Sequence, residues 1–169
     1  NVLNLQNLAV VPYENSLKFF PTWFQQVEME SNGKSLDATG NELELPAAPL
    51  VFGEIGTESQ HSFFQLLHQG IEKIPVEFLV PFQGKNVIGK NKEGLKPHSR
   101  LVVNAIAQAE ALITGTKKHK ENYRNMTGNR PSTFISWDKT NPESLGKLLS
   151  LYENATIVCG LLWGINSFD

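Results

Sequence analysis

Short apolar runs alternate along this chain with stretches of helical periodicity, and that alternation restricts the fold more than any other feature. Residues 8–11 (Leu-Ala-Val-Val), 49–53 (Pro-Leu-Val-Phe-Gly), 76–80 (Val-Glu-Phe-Leu-Val), 132–137 (Ser-Thr-Phe-Ile-Ser-Trp) and 156–162 (Thr-Ile-Val-Cys-Gly-Leu-Leu) read as strands, the last as a central one. Pro12 and Pro81 end the first and third of these runs. Helices are predicted over 16–31, 58–69, 97–115 and 142–154. Strands alternating with helices indicate an α/β fold with a mainly parallel sheet. Residues 35–47 suggest a loop with a weak polar hairpin built from Asp37, Gly40, Asn41 and Pro46, and 83–96 a polar excursion marked by Gly84, Gly89 and Gly94. The basic, turn-rich stretch 116–131 reads as a solvated charge run.

A chain of 169 residues is long enough for one domain with a real core and too short for two ordinary ones, so 1–169 is expected to form a single unit. Its net charge of −2 offers no electrostatic basis for binding nucleic acid or an anionic membrane. The longest apolar runs fall far below the roughly 20 residues needed to span a bilayer. No basic-then-apolar segment at the start suggests a signal peptide. Cys159, the one cysteine, has no partner for an internal disulfide, which fits a reducing compartment. The expectation is a soluble, cytoplasmic protein in which Cys159 is a small buried residue.

The chemistry concentrates in Phe20-Pro21-Thr22-Trp23-Phe24-Gln25-Gln26-Val27-Glu28-Met29-Glu30-Ser31-Asn32-Gly33-Lys34. Pro21 suits a first helical turn, and Gly33 the left-handed position just past a helix end. Gln26 and Glu30 are four residues apart and share a face, while Glu28 points elsewhere. A carboxylate in the last turn lies at the negative end of the helix dipole, a physical route to a general base. On spacing alone, a solvated amphipathic helix with a surface glutamate accounts for the pattern better.

His61 is the second candidate. It follows a strand and a Gly-containing turn, the usual place for functional groups in a parallel α/β sheet. On its helix Phe63, Leu66, Leu67 and Gly70 make the core face, and His61, Gln65 and His68 a polar stripe. Nearness to a helix N-terminus favours a neutral imidazole able to handle a proton; taken alone, the residue reads as a capping or surface histidine. Gly53-x-x-Gly56-Thr57 suits either an anion cradle of backbone N–H groups or a plain strand-to-helix turn. His61 and His68 lack the spacing of a helical zinc pair, so no metal site is expected.

These residues resemble a known family. Gln25-Gln26-x-x-Met29-Glu30-Ser31-Asn32-Gly33-Lys34 is similar to the catalytic helix of the glucose-6-phosphate isomerases. Gly53-Glu54-Ile55-Gly56-Thr57-Glu58-Ser59-Gln60-His61-Ser62 resembles the family's Gly-Glu-x-Gly-Thr-x-x-Gln-His segment. Ile74-Pro75-Val76-Glu77-Phe78, Ala107-Gln108-Ala109-Glu110-Ala111-Leu112, Gly128-Asn129-Arg130-Pro131 and Trp163-Gly164-Ile165-Asn166-Ser167-Phe168-Asp169 are similar to later motifs, in the same order. Cys159 and Gly164 depart from the family, which commonly has Gln and Asp there.

The resemblance implies a sugar-isomerase-type (SIS) three-layer sandwich, with 1–169 as part of its second domain. It implies interconversion of glucose 6-phosphate and fructose 6-phosphate through a cis-enediol, without metal or organic cofactor. Glu30 would be the base, His61 would assist ring opening from a neighbouring subunit of a homodimer, and Gln26 would help hold the sugar phosphate. The family's Gly-Gly-Arg-[Phe/Tyr]-Ser motif, its phosphate loop and its catalytic lysine have no counterpart in this sequence. The chain alone is therefore expected to be inactive. A non-catalytic sugar-phosphate-binding module and an interaction or cytokine-like role are the alternatives.

Overall fold

The computed structural model describes residues 5–84, 97–117 and 120–168, so most of the polar excursion predicted over 83–96 lies outside the described residues. Four strands, β1 (Asn7–Pro12), β2 (Leu50–Gly53), β3 (Val76–Gln83) and β4 (Ser132–Lys139), form one sheet in the order β2-β1-β3-β4. Every pairing is parallel, with Leu8 opposite Val51, Val10 opposite Glu77 and Val76 opposite Ser132. Parallel neighbours need crossovers, which here carry the helices.

Because side chains alternate across a strand, the sheet sorts its apolar residues onto two faces. Ala9, Val11, Val76, Phe78 and Val80 pack with Phe64 and Leu67 of α3 (Phe64–Gln69) and with Ala105 and Leu112 of α4 (Pro97–Thr114). Val10, Val51 and Leu79 pack on the other face with Phe20 and Phe24 of α1 (Phe20–Gln25) and with Leu148 and Tyr152 of α5 (Pro142–Trp163). The result is the expected three-layer α/β arrangement, with both sheet faces covered as parallel sheets require. A short helix, α2 (Gly56–Ser62), precedes α3. Among the described residues no helix is long and apolar enough to cross a membrane.

The run 156–162 is not a central strand. It is the C-terminal third of α5, a single 22-residue helix. Asn141 and Ser144 start that helix with reciprocal side-chain-to-backbone hydrogen bonds of 2.9 Å, and Pro142 occupies the first turn. Gly164 stops it in the left-handed region at φ +68°. The buried positions are Leu148, Tyr152, Thr156 and Gly160, four residues apart, whereas Val158, Cys159, Leu161 and Leu162 are exposed. Four-residue spacing of small and apolar groups is a helical signature, and the apolar residues between them disguised it as a strand. Cys159 is accordingly a surface residue rather than a buried one.

Pro81 does not end β3, which runs on to Gln83. In this register the missing N–H of Pro81 would point to the β1 side, where β1 has already stopped, so the ladder loses nothing.

Tyr152 ties α5 to the sheet by donating a 2.5 Å hydrogen bond to Glu77 Oε2. Burial pushes the Glu77 carboxyl above its ordinary value, while the Tyr152 hydrogen bond pulls the other way. A carboxyl raised in the folded state stabilises the fold fully below the ordinary carboxylate range, and that contribution is lost as pH rises through the raised value. Glu77→Gln keeps an acceptor for Tyr152 and is expected to gain stability relative to the unaltered chain as pH rises above the ordinary carboxylate range. Urea unfolding within and above that range checks it; a difference independent of pH would show that folding does not sense the proton on Glu77. Tyr152→Phe is expected to cost about 1–3 kcal/mol by stripping a hydrogen-bond partner from a buried carboxyl group.

Candidate functional site

The helix expected over 16–31 is built from three geometries. A 3₁₀ turn at Asn15–Leu17 leads into α1, which passes without a break into a π-helical turn, Gln26–Glu30. Such π-turns are rare and frequently mark functional segments. This one coincides with a buried polar network. Thr156 Oγ1 donates to Glu28 Oε2 at 2.6 Å, and Asn32 Nδ2 reaches Glu28 Oε1 at 3.3 Å and the Thr156 carbonyl at 2.9 Å. Ser167 Oγ donates to Asn32 Oδ1 at 2.6 Å. Asn32 is fully buried, Thr156 and Glu28 nearly so, and each has a partner, as groups removed from water require. Gly160 lets α5 come this close: a Cβ there would lie 1.9 Å from Ser167 Oγ and 2.9 Å from Asn32 Oδ1.

The opposite flank of the turn grips β2. Gln25 Nε2 donates to the Val51 carbonyl at 3.1 Å, and the Val51 N–H points at Met29 Sδ at 3.3 Å. These contacts cover the free edge of an edge strand. With Gln25, Glu28, Met29 and Asn32 turned inward, Gln26 and Glu30 face outward together and are exposed. Among the described residues no hydrogen bond engages the Glu30 carboxylate, which leaves it open to a ligand.

Gly33 does not adopt a left-handed conformation. It is needed for close approach instead, because a Cβ would fall 2.1 Å from the Met29 carbonyl oxygen. Just beyond it an open cleft of about 770 Å³ is lined by Gly33, Lys34, Asp37, Ile165 and Asn166. Lys34 Nζ donates to the Asn166 carbonyl there at 2.5 Å. The predicted polar hairpin is present, bridged between Leu36 and Glu42. Asp37 organises it: hydrogen bonds from Asn41 and Thr39 hold its carboxyl well below the usual range.

His61 sits differently from expectation. The helix breaks at Phe63 (φ −127°, ψ 0°), so His61 lies in the last turn of a short α2, where the helix field has the opposite sign to that at an N-terminus. The break also shifts the phase of the next helix. His61 and Gln65 are exposed, but His68 is buried with Nε2 2.8 Å from Gln108 Oε1, and the expected stripe does not form. Phe64 and Leu67 enter the core while Leu66 faces out. Glu30 and Gln26 follow the helix layer over the Val10 face, whereas α2 belongs with the layer over the Ala9 face. The structure thus brings Gln26 to Glu30 and leaves His61 apart from both.

In the Gly53–Gly56 turn, which links β2 to α2, Gly56 packs against the Tyr13 ring. Arg130, inside one of the later motifs, is buried and structural: its guanidinium donates to the carbonyls of Glu72, at 2.9 Å, and Gly70. Among the described residues no group of three or more His, Cys, Asp or Glu side chains stands ready to hold a metal ion. Sequence reasoning missed the Glu28–Asn32–Thr156–Ser167 network, although Glu28 and Asn32 have the i, i+4 spacing of a helical pair.

The chain is thus a parallel three-layer α/β unit that presents an amide and an unengaged carboxylate side by side from one π-turn. The chain belongs to the phosphoglucose isomerase family, whose model matches residues 1–169. It is 45% identical over its whole length to the glucose-6-phosphate isomerase of Chlamydia pneumoniae, covering 32% of that protein. It is 44% identical over 95% of its length to that of Albidiferax ferrireducens, covering 30%. The crystal structure of a glucose-6-phosphate isomerase from Chlamydia trachomatis superposes on the whole chain with a TM-score of 0.95 at 38% identity, and the chain covers 32% of it. A hypothetical protein from Thermus thermophilus, 21% identical with a TM-score of 0.75, shares the fold. The chain spans about a third of the length of the curated relatives it matches.

Thr156→Val preserves shape and deletes the donor to Glu28. It is expected to destabilise the fold by about 1–3 kcal/mol. A loss below about 0.5 kcal/mol in urea unfolding would show that Glu28 does not depend on Thr156.

Proposed function

We propose that this chain supplies the base and part of the sugar site of an aldose–ketose isomerase that interconverts glucose 6-phosphate and fructose 6-phosphate. The observation that carries this reading is the outward pairing of Gln26 with the unengaged Glu30 carboxylate on the π-turn, in a chain whose whole length belongs to the family. Glu30 takes the C2 proton of the open-chain aldose; the C2–H electron pair becomes the C1–C2 double bond of a cis-enediol(ate) as the carbonyl pair moves onto O1. A proton passes from O2 to O1, and return of the proton from Glu30 to C1, with the carbonyl re-formed at C2, gives the ketose. Proton transfer between adjacent carbons needs a positioned carboxylate and no redox partner, so neither metal nor organic cofactor enters this mechanism.

Gln26, one turn before Glu30, helps hold the sugar phosphate. His61 assists ring opening. Its place in the opposite helix layer fits action in the neighbouring active site of a homodimer. In this reading the phosphate loop, the arginine that stabilises the intermediate and the terminal lysine come from the remaining length seen in the relatives. The working protein is cytoplasmic and serves glycolysis and gluconeogenesis.

In the polypeptide at the length of its relatives, Glu30→Gln is expected to lower kcat by roughly 10²–10⁴-fold with little change in KM, and to abolish hydrogen exchange at C2. Unchanged exchange would remove Glu30 from the role of base. The 169-residue chain alone is expected to show no turnover in a coupled assay; clear turnover abolished by Glu30→Gln would overturn that expectation.

A further inference from the structure

We infer that Tyr13, Asn104 and Gln60 form a positioning relay for His61, an inference that rests on the ring-opening role given to His61 above. Asn104, on α4, offers one carbonyl oxygen to two donors. Tyr13 Oη, just past the end of β1, donates to Asn104 Oδ1 at 3.0 Å, and Gln60 Nε2, on α2, donates to the same atom. Two helices of one layer and the chain just past a strand therefore meet at a single amide. Gln60 is the residue before His61 in the chain.

The histidine needs such an anchor. The helix that carries it has seven residues, no side-chain hydrogen bond at its N-cap, and a break at Phe63 immediately afterwards. His61 itself is exposed, so packing does not fix it. What docks α2 lies on its inner side. Tyr13 is buried, and its ring lies so close under Gly56 that a Cβ there would stand 2.4 Å from a ring carbon. Ser59 Oγ, also buried, donates to the Gly56 carbonyl at 3.0 Å and tightens the first turn. Gln60 then ties the last turn to α4. Burial pushes the Tyr13 hydroxyl up to about 12, so it stays a donor throughout the working pH range. The relay contains no group that titrates near neutrality, and its failure would lower a rate without moving a pH profile.

The relay is tested in the full-length isomerase carrying this segment, on two substrates. One is the cyclic sugar phosphate, which must open its ring. The other is a four-carbon aldose 4-phosphate, which has no free hydroxyl able to close a ring, followed by hydrogen exchange at C2. Asn104→Leu is expected to lower kcat on the cyclic substrate by roughly tenfold to a hundredfold. KM, the pH profile and exchange on the open-chain substrate should stay as they were. Asn104→Asp, which keeps an acceptor oxygen for both donors, should restore most of the rate. In combination with His61→Ala, Asn104→Leu should cause no further loss. Equal losses on both substrates, losses that add to those of His61→Ala, or no loss at all would overturn the relay while leaving Glu30 as base. Full activity of His61→Ala on the cyclic substrate would instead remove the role of His61, and the relay with it. Should Asn104→Leu fail to fold, Gln60→Glu replaces donor by acceptor at nearly constant size and carries the same expectations.

Discussion

A carboxyl group buried with its donors holds the π-turn of this molecule against α5. Glu28 lies almost out of water, and removing it from solvent would be costly without the hydroxyl of Thr156 and the amide of Asn32. Satisfying those groups brings the π-turn against α5, and Ser167 closes the arrangement from the C-terminal side. Turning Glu28 inward presents Glu30 outward. One acidic residue sets the geometry of the turn while a second, two positions later, stays in solvent.

The sheet sets the remaining distances. With four parallel strands and helices on both faces, groups on opposite layers have the sheet between them. Glu30 belongs to one layer and His61 to the other. The edge of β2 is meanwhile occupied by Gln25 and Met29, which leaves little of Val51 for pairing with another strand. The same helix thus blunts the sheet edge and displays the carboxylate.

Much of the fold is legible in the sequence because strands and helices advertise themselves by period. The runs at 8–11, 49–53, 76–80 and 132–137 are all strands, and Gln26 and Glu30 do share an exposed face. The departures come where local signals give way to tertiary ones. Residues 156–162 are apolar enough for a core strand, yet their helical state depends on Asn141 starting and Gly164 ending a helix around them. Gly33 suggests backbone freedom, whereas its smallness beside Met29 is what the structure uses. The break at Phe63 reverses the end of the helix on which His61 sits, and moves His68 from a polar stripe into the interior. No periodicity announces a break that is set by packing against a neighbour.

The hydrogen bonds that seat the π-turn also have a consequence in time. Glu28 and Thr156 are 128 residues apart in the chain, and Asn32 and Ser167 are 135 apart. Contacts so distant in sequence carry a large loop-closure cost and form late. On a ribosome, α1 and the first strands emerge long before their α5 partners exist, and Glu28 must wait in water for them. The segment bearing Glu30 is synthesised well before α5 and is set in place only when α5 arrives, so the seating of the π-turn waits on the completion of that helix.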